Sequence, residues 1–195
     1  YYFLPSSNQN AYTFQHMWMG AAQNERIGRK IWVTRLKLTL QIDVPGQILL
    51  DTLPAPNYPI RIAIVQDKQQ NIDGKANAAK VFNAQSINSV LHQRHEDYRA
   101  RYNVLYDKTF IWQPELTEHY KESAKEVFYI GGWEKVINIV IPLGFITEYN
   151  VTQGGAPQTG VVIKNSIGLL AWTADQVEEV KPTIEGTFTL YYTDE

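Results

Sequence analysis

Residues 32–44 read WVTRLKLTLQIDV, and this stretch decides the fold class. Apolar and polar side chains alternate along it, and successive side chains of a strand point to opposite faces of a sheet. The alternation therefore predicts a long strand with one face buried and the other in water. The predicted buried face comprises Trp32, Leu36, Leu38, Leu40, Ile42 and Val44. The predicted polar face comprises Arg35, Lys37, Thr39, Gln41 and Asp43.

Seven further strands are predicted after this one, and residues 74–95 between them lack a strand pattern. The closing stretch TIEGTFTLYYTDE, residues 183–195, alternates in the same way, with Ile184, Phe188, Leu190 and Tyr192 on one face. Either FITEYN (145–150) or GVVIK (160–164) supplies a weaker candidate, which brings the count to eight. The other predicted strands are Ile60–Asp67, Tyr102–Trp112, Val127–Ile130, Lys135–Leu143 and Ile167–Trp172.

Helix is scarce in this sequence. Residues 74–95 hold apolar side chains at near-helical spacing, which predicts one or two short helices between the second and third strands. Gly131 and Gly132 favour a tight hairpin turn between the strands beside them, because glycine readily adopts a positive φ. We therefore predict one all-β domain over residues 1–195, an eight-stranded antiparallel jelly-roll sandwich with a short helical insertion.

Composition narrows the classes of function. Charged residues make up 19% of the chain and aromatic residues 12%, which suits a substantial core with apolar surface left for partners. The formal charge is −2, so any binding to nucleic acid or anionic membrane must be local. The chain has no cysteine, which excludes disulfides, zinc–thiolate sites and a cysteine nucleophile. No apolar run is long enough to span a membrane.

Asp67 is the first candidate for chemistry, since α/β enzymes place catalytic groups at strand ends. The loop that it opens, DKQQNIDG, has Ile72 where an EF-hand calcium loop needs glycine. A weak cation at a subunit contact and a turn capped by Asp and Asn remain as alternatives. His92 and His95 share a predicted helical face, without a third ligand at a matching spacing. With no nucleophile or phosphate-loop motif present, we predict no catalytic residue, no metal, no cofactor and no enzymatic activity.

Basic residues gather ahead of and along the first predicted strand, within twelve positions. Such a cluster can neutralise phosphates even when the net charge is negative. The alternative is a polar face balanced by neighbouring acids. Aromatic side chains such as Trp32 and Phe188 fall on predicted core positions, so core packing explains them better than base stacking. The members of this basic cluster are Arg26, Arg29, Lys30, Arg35 and Lys37.

The most specific pattern spans three segments: IRIAIVQDKQQN (60–71), VFNAQSINSVL (81–91) and RYNVLYDKTFIW (101–112). A strand with Arg and a terminal Asp leads to a helical insertion and then to an Arg-aromatic-x-Val-Leu-x-Asp strand. Upstream, NERIGRKIWVTRLKLTLQI (24–42) places Arg-x-Gly before the alternating run. This order resembles the single-jelly-roll capsid proteins of small icosahedral viruses, namely circular Rep-encoding single-stranded DNA viruses and related satellite RNA viruses. NSIGLLAWTA (165–174) and the closing strand match more loosely.

The resemblance implies a structural capsid protein that self-assembles into a small icosahedral shell of T=1 type. The partners it implies are further copies of the chain, a single-stranded DNA or RNA genome and an unidentified host receptor. It places the protein in the virion and, during assembly, in the host cell, in the nucleus for a DNA virus. The basic cluster would then face the genome. The implied structural motif residues are Arg61, Asp67, Arg101 and Asp107.

The family also has a strongly basic N-terminal arm, whereas the opening YYFLPSSNQN (1–10) is uncharged. The resemblance therefore leads us to expect that the basic arm is missing before Tyr1. The alternative function is a non-viral β-sandwich binding module, a trimeric ligand or a carbohydrate binder with exposed Trp or Tyr as a stacking platform.

Overall fold

The computed structural model describes residues 12–14, 28–50, 58–69, 76, 78–82, 93–113, 115–122, 124–150, 161–173 and 182–194. Within these ranges strands dominate, which confirms the all-β class. The strands are β1 (Tyr12–Thr13), β2 (Lys30–Val44), β3 (Gln47–Leu50), β4 (Tyr58–Asp67), β5 (Tyr102–Trp112), β6 (Leu116–Glu122), β7 (Lys125–Ile130), β8 (Trp133–Asn150), β9 (Val161–Lys164), β10 (Ser166–Thr173) and β11 (Thr183–Asp194). One short helix, α1 (Ala78–Phe82), and a 3-10 turn (Glu96–Tyr98) lie between β4 and β5.

The strands form three antiparallel sheets. The front sheet has the order β11-β2-β8-β9, and the back sheet has the order β1-β10-β4-β5. A small sheet has the order β3-β7-β6. Every strand pair within these sheets is antiparallel. No helix in the described ranges is long and apolar enough to cross a membrane.

One core cluster contains the inward side chains of all three sheets. On β2 every second side chain from Leu36 onward is buried, and on β4 the inward residues are Ile60, Ile62 and Ile64. Phe128 from the small sheet joins the same cluster. Each fully buried side chain of this size contributes about 1.5–3 kcal/mol of hydrophobic free energy. The alternation along β2 therefore reports the burial of one face of the front sheet.

A second core lies on the opposite face of the back sheet, where α1 covers β4 and β10. Val81 and Phe82 of α1 share this cluster with Ala63, Leu170 and Trp172 of the sheet. The Phe82 and Trp172 rings lie 5.3 Å apart between centroids. As a result β4 and β10 are buried on both faces, and the predicted helical insertion between β4 and β5 is confirmed at α1. Residues 83–92 of that insertion lie outside the described residues.

A bulge near the start of β2 changes which side chains are buried. Against β11, Val33 pairs with Tyr192 and Arg35 with Tyr191, so Thr34 is an extra residue of β2. Ile31 and Val33 are therefore buried before the bulge and Leu36 after it. Trp32 consequently lies on the outer face and is 38% exposed. The prediction that Trp32 belongs to the buried face is wrong, because one extra residue in a strand inverts the alternation beyond it.

Phe188 of β11 also departs from its predicted core position. It is 39% exposed and packs edge-on against Phe14, with 5.0 Å between ring centroids. Phe14 immediately follows β1, so this contact closes the margin of the sandwich between the two edge strands β1 and β11. Phe188 is therefore a rim residue of the core.

The glycine pair joins two sheets and does not form a hairpin. β7 pairs with β3 and β6, whereas β8 pairs with β2 and β9, so the predicted hairpin at Gly131 and Gly132 is wrong. A Cβ on Gly132 would lie 3.0 Å from the backbone nitrogen of Gly46. The absence of a side chain allows the chain to pass closely by the β2–β3 turn as it leaves the small sheet.

The remaining predicted strands are confirmed, Tyr102–Trp112 with the predicted bounds and the others with changed bounds. The segment FITEYN is the end of β8, and VVIK is β9, so both weaker candidates are strands. The short strands β1, β3 and β6 were not predicted, because none of them alternates over enough residues to give a periodic signal.

Candidate nucleic-acid interface

The outer face of the front sheet gathers most of the predicted basic cluster. Lys30, Trp32, Arg35 and Lys37 all lie on this face of β2 and are exposed. The bulge after Val33 is the reason, since an unbroken strand would place Lys30 and Arg35 on opposite faces. The bulge thereby makes one surface of cations and an indole ring, which is the combination that binds single-stranded nucleic acid.

Tyr191 on the neighbouring strand completes this surface. It is the cross-strand partner of Arg35, and the guanidinium carbon of Arg35 lies 4.1 Å from the centre of the Tyr191 ring. The Lys37 ammonium nitrogen lies 5.5 Å from the same ring. A guanidinium stacked on an aromatic ring keeps its outward N–H groups available for an anion such as phosphate. We call Lys30, Trp32, Arg35, Lys37 and Tyr191 the basic face.

Charge is distributed unevenly along the outer face of the front sheet. Within the described residues, Arg35 and Lys37 have no carboxylate within 4.0 Å. Lys30 is different, because its ammonium lies 3.6 Å from Glu148, which Lys164 also approaches at 3.6 Å. At the far end of β2 the exposed residues are acidic: Asp43, Glu134 and Glu185. The face is therefore positive near Arg35 and negative near Asp43.

The other two members of the predicted cluster precede β2 in the sequence. The Arg29 backbone carbonyl accepts a hydrogen bond from the Tyr149 N–H at 2.9 Å. Arg26 lies outside the described residues. Of the predicted nucleic-acid-facing residues, the structure brings together Lys30, Arg35 and Lys37.

The four motif residues form two reciprocal ion pairs on the back sheet. Arg61 of β4 donates Nε to Asp107 Oδ1 at 2.7 Å and Nη2 to Oδ2 at 2.6 Å. Its guanidinium carbon also lies 4.3 Å from the centre of the Phe82 ring of α1 and 5.2 Å from that of Trp172. The pair joins β4 to β5, while the Arg61 side chain is packed against the helical insertion.

The second pair joins the end of β4 to the start of β5. Arg101 donates Nε to Asp67 Oδ1 at 2.9 Å and Nη2 to Oδ2 at 2.8 Å. The Gln69 backbone N–H donates to the same carboxylate at 3.1 Å. The Asp67 side chain is only 2% exposed, so both of its oxygens face protein donors. This arrangement suits a strand-end anchor better than a proton-transfer group, which must reach a substrate.

Tyr102 lies beside the Asp67–Arg101 pair in the second core. Burial, and then the negative charge of Asp67, raise the pKa of the Tyr102 phenol to about 12. Its hydroxyl has no hydrogen-bond partner in the part of the chain that the structure describes. Both causes favour the neutral phenol, so this tyrosine stays protonated throughout the physiological range.

The candidate metal groups do not assemble in the described ranges. No set of three His, Asp or Glu side chains there is placed to hold an ion. His95 lies 3.8 Å from Asp97 and packs edge-on against Tyr98, while its predicted neighbour His92 lies outside the described residues. Residues 70–75 of the predicted calcium loop also lie outside them.

Sequence reasoning missed two members of the basic face, Trp32 and Tyr191. A signal for Trp32 was present, because the buried apolar positions change from odd numbers, Ile31 and Val33, to even numbers from Leu36 onward. That change of parity is the mark of a bulge. Tyr191 had no such signal, since only the pairing of β11 with β2 brings it to Arg35.

Compared with family models and with curated protein sequences, the chain matches none.

Proposed function

We propose that this chain is a structural capsid protein that self-assembles into a small icosahedral shell, of T=1 type, around a single-stranded DNA or RNA genome. The observation that carries the proposal is the reciprocal pairing of the four motif residues, Arg61 with Asp107 and Arg101 with Asp67. The residues that gave the capsid resemblance thus act as one architectural unit around the helical insertion. The proposed role is structural, in the virion and without catalysis.

The strand pairing bears on the jelly-roll part of the proposal. A jelly roll forms when a long antiparallel hairpin wraps on itself, so that outer strands pair in nested order. The nested pairs β2 with β11 and β4 with β10 support this architecture. The chain departs from full nesting where β5 pairs with β4 and β8 pairs with β2. We propose a rolled sandwich in which the outer strands keep the jelly-roll order.

Apolar surface supports assembly from many copies. Ile111 of β5 is 61% exposed, and Ile48 of β3 is 56% exposed. These residues lie on two different sheets. Apolar burial across repeated contacts drives closed symmetric assemblies, and the small net charge of −2 opposes it little.

The genome contact is assigned to the basic face. Arg35 and Lys37 supply positive charge, and the exposed ring of Trp32 supplies a surface on which an unpaired base stacks. Tyr191 supports the Arg35 guanidinium from beneath. Because one copy offers few cations, the proposal relies on repetition of the face over the inner surface of a shell, where weak contacts add up.

A second candidate is a β-sandwich binding module outside any virus, such as a carbohydrate binder. The exposed indole of Trp32 favours it, as does the stacked pair Tyr120 and Tyr129 on the small sheet, whose hydroxyl oxygens lie 3.0 Å apart. Flat aromatic surfaces bearing hydroxyls also suit sugar rings.

Electron microscopy of the purified chain tests the proposed function. Over a range of pH and salt, we expect uniform hollow shells, with a matching large species in light scattering. A species that remains monomeric or trimeric under every condition would overturn the proposal. Binding of that small species to a glycan array would then favour the carbohydrate binder.

A further inference from the structure

The outer edge of β11 is built for strand pairing. β11 is 12 residues long, pairs with β2 on one side, and has no strand partner on the other side within the described residues. From residue 186 to 193 it reads GTFTLYYT, with no charge and no proline. Proteins that avoid edge-to-edge association protect long edges with charges, prolines or bulges. The only irregularity of β11 is a register shift between Tyr191 and Tyr192 near its end.

The opposite edge of the sandwich shows the contrast. β5 is also a long edge strand, with 11 residues, and it presents Asp107 and Lys108 in its middle. A charged group in the middle of an edge discourages addition of another strand. An uncharged run of β-branched and aromatic residues such as that of β11 favours such addition.

An apolar groove runs along the inner side of the β11 edge. It has a volume of about 230 Å³ and is lined mainly by Phe14, Leu38, Leu40, Leu169 and Phe188. Gly186 also lines it. The exposed part of Phe188 continues this apolar surface to the edge of the sandwich. A strand added to β11 would therefore cover core side chains as well as complete backbone hydrogen bonds.

Charge complementarity favours a second copy of this chain as the partner that pairs with the β11 edge. Along the outer face of the front sheet, Tyr191 lies beside the cations Arg35 and Lys37, and Glu185 lies at the acidic end. Two β11 strands that pair antiparallel about Phe188 place Glu185 of one copy opposite Tyr191 of the partner subunit. The acidic end of each copy then meets the basic end of the other, which is the complementarity that a two-fold contact requires.

We propose that β11 pairs antiparallel with β11 of a second copy about a two-fold axis at Phe188. The two four-stranded front sheets then become one continuous sheet. Phe188 meets Phe188 of the partner subunit on the groove side, and Thr187 lies opposite Thr189 of the partner subunit, a cross-strand pair that sheets favour. The inference rests on the proposed function, because it assigns the β11 pairing as one contact between subunits of the proposed shell.

Engineered cysteines test this pairing, because the chain has none of its own. In the double variant Thr187→Cys/Thr189→Cys, position 187 of one copy lies opposite position 189 of the other copy. A disulfide can span the distance between two directly opposite residues of paired strands. We expect a covalent dimer on a non-reducing gel under mild oxidation. The matched control is Asn138→Cys/Val140→Cys, with the same spacing on exposed positions of β8. It should give no covalent dimer beyond random collision.

A charge exchange tests the same contact without oxidation. Glu185→Arg should weaken dimerisation in sedimentation velocity at least about tenfold, because it brings like charges together. Adding Arg35→Glu should restore most of the loss. Thermal unfolding of each variant verifies that the fold is retained.

The outcomes separate this inference from the proposed function. Shells on microscope grids without Thr187–Thr189 cross-links would overturn the β11 contact and leave the capsid proposal standing. Cross-linked dimers that never form shells would overturn the capsid proposal and leave the β11 contact standing. Equal cross-linking of the β11 pair and the β8 control, or no rescue by the second charge change, also overturns the β11 contact.

Discussion

The two large sheets each place an arginine over an aromatic ring on their outer face, and the two arrangements differ in what surrounds the arginine. On the back sheet, Arg61 lies 4.3 Å from the Phe82 ring, beneath α1, with both Asp107 oxygens bound. On the front sheet, Arg35 lies 4.1 Å from the Tyr191 ring, and among the described residues no helix covers it and no carboxylate lies within 4.0 Å of it. The first guanidinium is a structural part of the fold, and the second is the one that we propose for a ligand.

This difference teaches that stacking alone does not define the role of an arginine. A carboxylate bound to Nε and Nη2 occupies one edge of the guanidinium and neutralises its charge, which weakens its attraction for an anionic ligand. Burial then makes the pair costly to break, because removal of one partner leaves an uncompensated charge. Exposure has the opposite effect, since solvent screens the arginine and its loss costs the fold little.

The largest expected change in stability follows from breaking the Asp67–Arg101 pair of the back sheet. Arg101→Ala leaves the buried Asp67 carboxylate without its partner, and we expect the free energy of unfolding to fall by about 3–5 kcal/mol. Urea denaturation monitored by tryptophan fluorescence measures this. On the front sheet Arg35→Ala should change stability by no more than about 0.5 kcal/mol. Equal losses for the two variants would remove the distinction between the sheets.

A smaller effect is expected on binding at the front sheet. Arg35→Ser/Lys37→Ser should reduce the slope of log K against log salt for a single-stranded oligonucleotide by about 1.4, since each phosphate contact contributes about 0.7. Fluorescence anisotropy with DNA and RNA oligonucleotides measures the slope. The control Lys121→Ser/Lys125→Ser removes the same charge from the small sheet. A slope unchanged in the first variant, or lowered equally in both, would contradict the assignment of the basic face.

The smallest effect at neutral pH is expected for Tyr102→Phe in the second core. The Tyr102 pKa is raised from 10.0 to about 12 in the folded chain. The unfolded chain therefore loses this proton first, and stability falls as pH rises from 10 towards 12. Below this range the substitution should be nearly neutral, because the hydroxyl has no described partner. Urea midpoints measured at pH 8 and pH 11 should show a smaller decline in the variant. An identical decline would place the titrating group elsewhere.

Much of the fold could be predicted from local pattern. The alternation in β2 and β11 and the apolar runs of β4, β5 and β10 marked these strands to within a few residues of their observed ends. The hairpin at Gly131 and Gly132 failed for a physical reason: glycine permits a sharp turn but does not specify which strands lie beside it. Here β7 and β8 join different sheets.

The candidate site was predicted in part. Arg35 and Lys37 share a face by simple alternation, whereas Lys30 and Trp32 reach that face only through the bulge that inverts the alternation. The motif residues Arg61, Asp67, Arg101 and Asp107 form two ion pairs, but which residue pairs with which was not predicted. Partners separated by 34 and 46 positions have no local signature.

By itself, the sequence determined that this protein is all-β, where most of its strands lie and which residues belong to its most specific pattern. These are consequences of a side-chain period of two and of spacing along the chain. Only the tertiary structure decided which arginine meets which aspartate, that Tyr191 lies beneath Arg35, and that β11 is the outer strand of its sheet. Strand pairing joins residues distant in the chain, and the free energy of the whole packed core selects it.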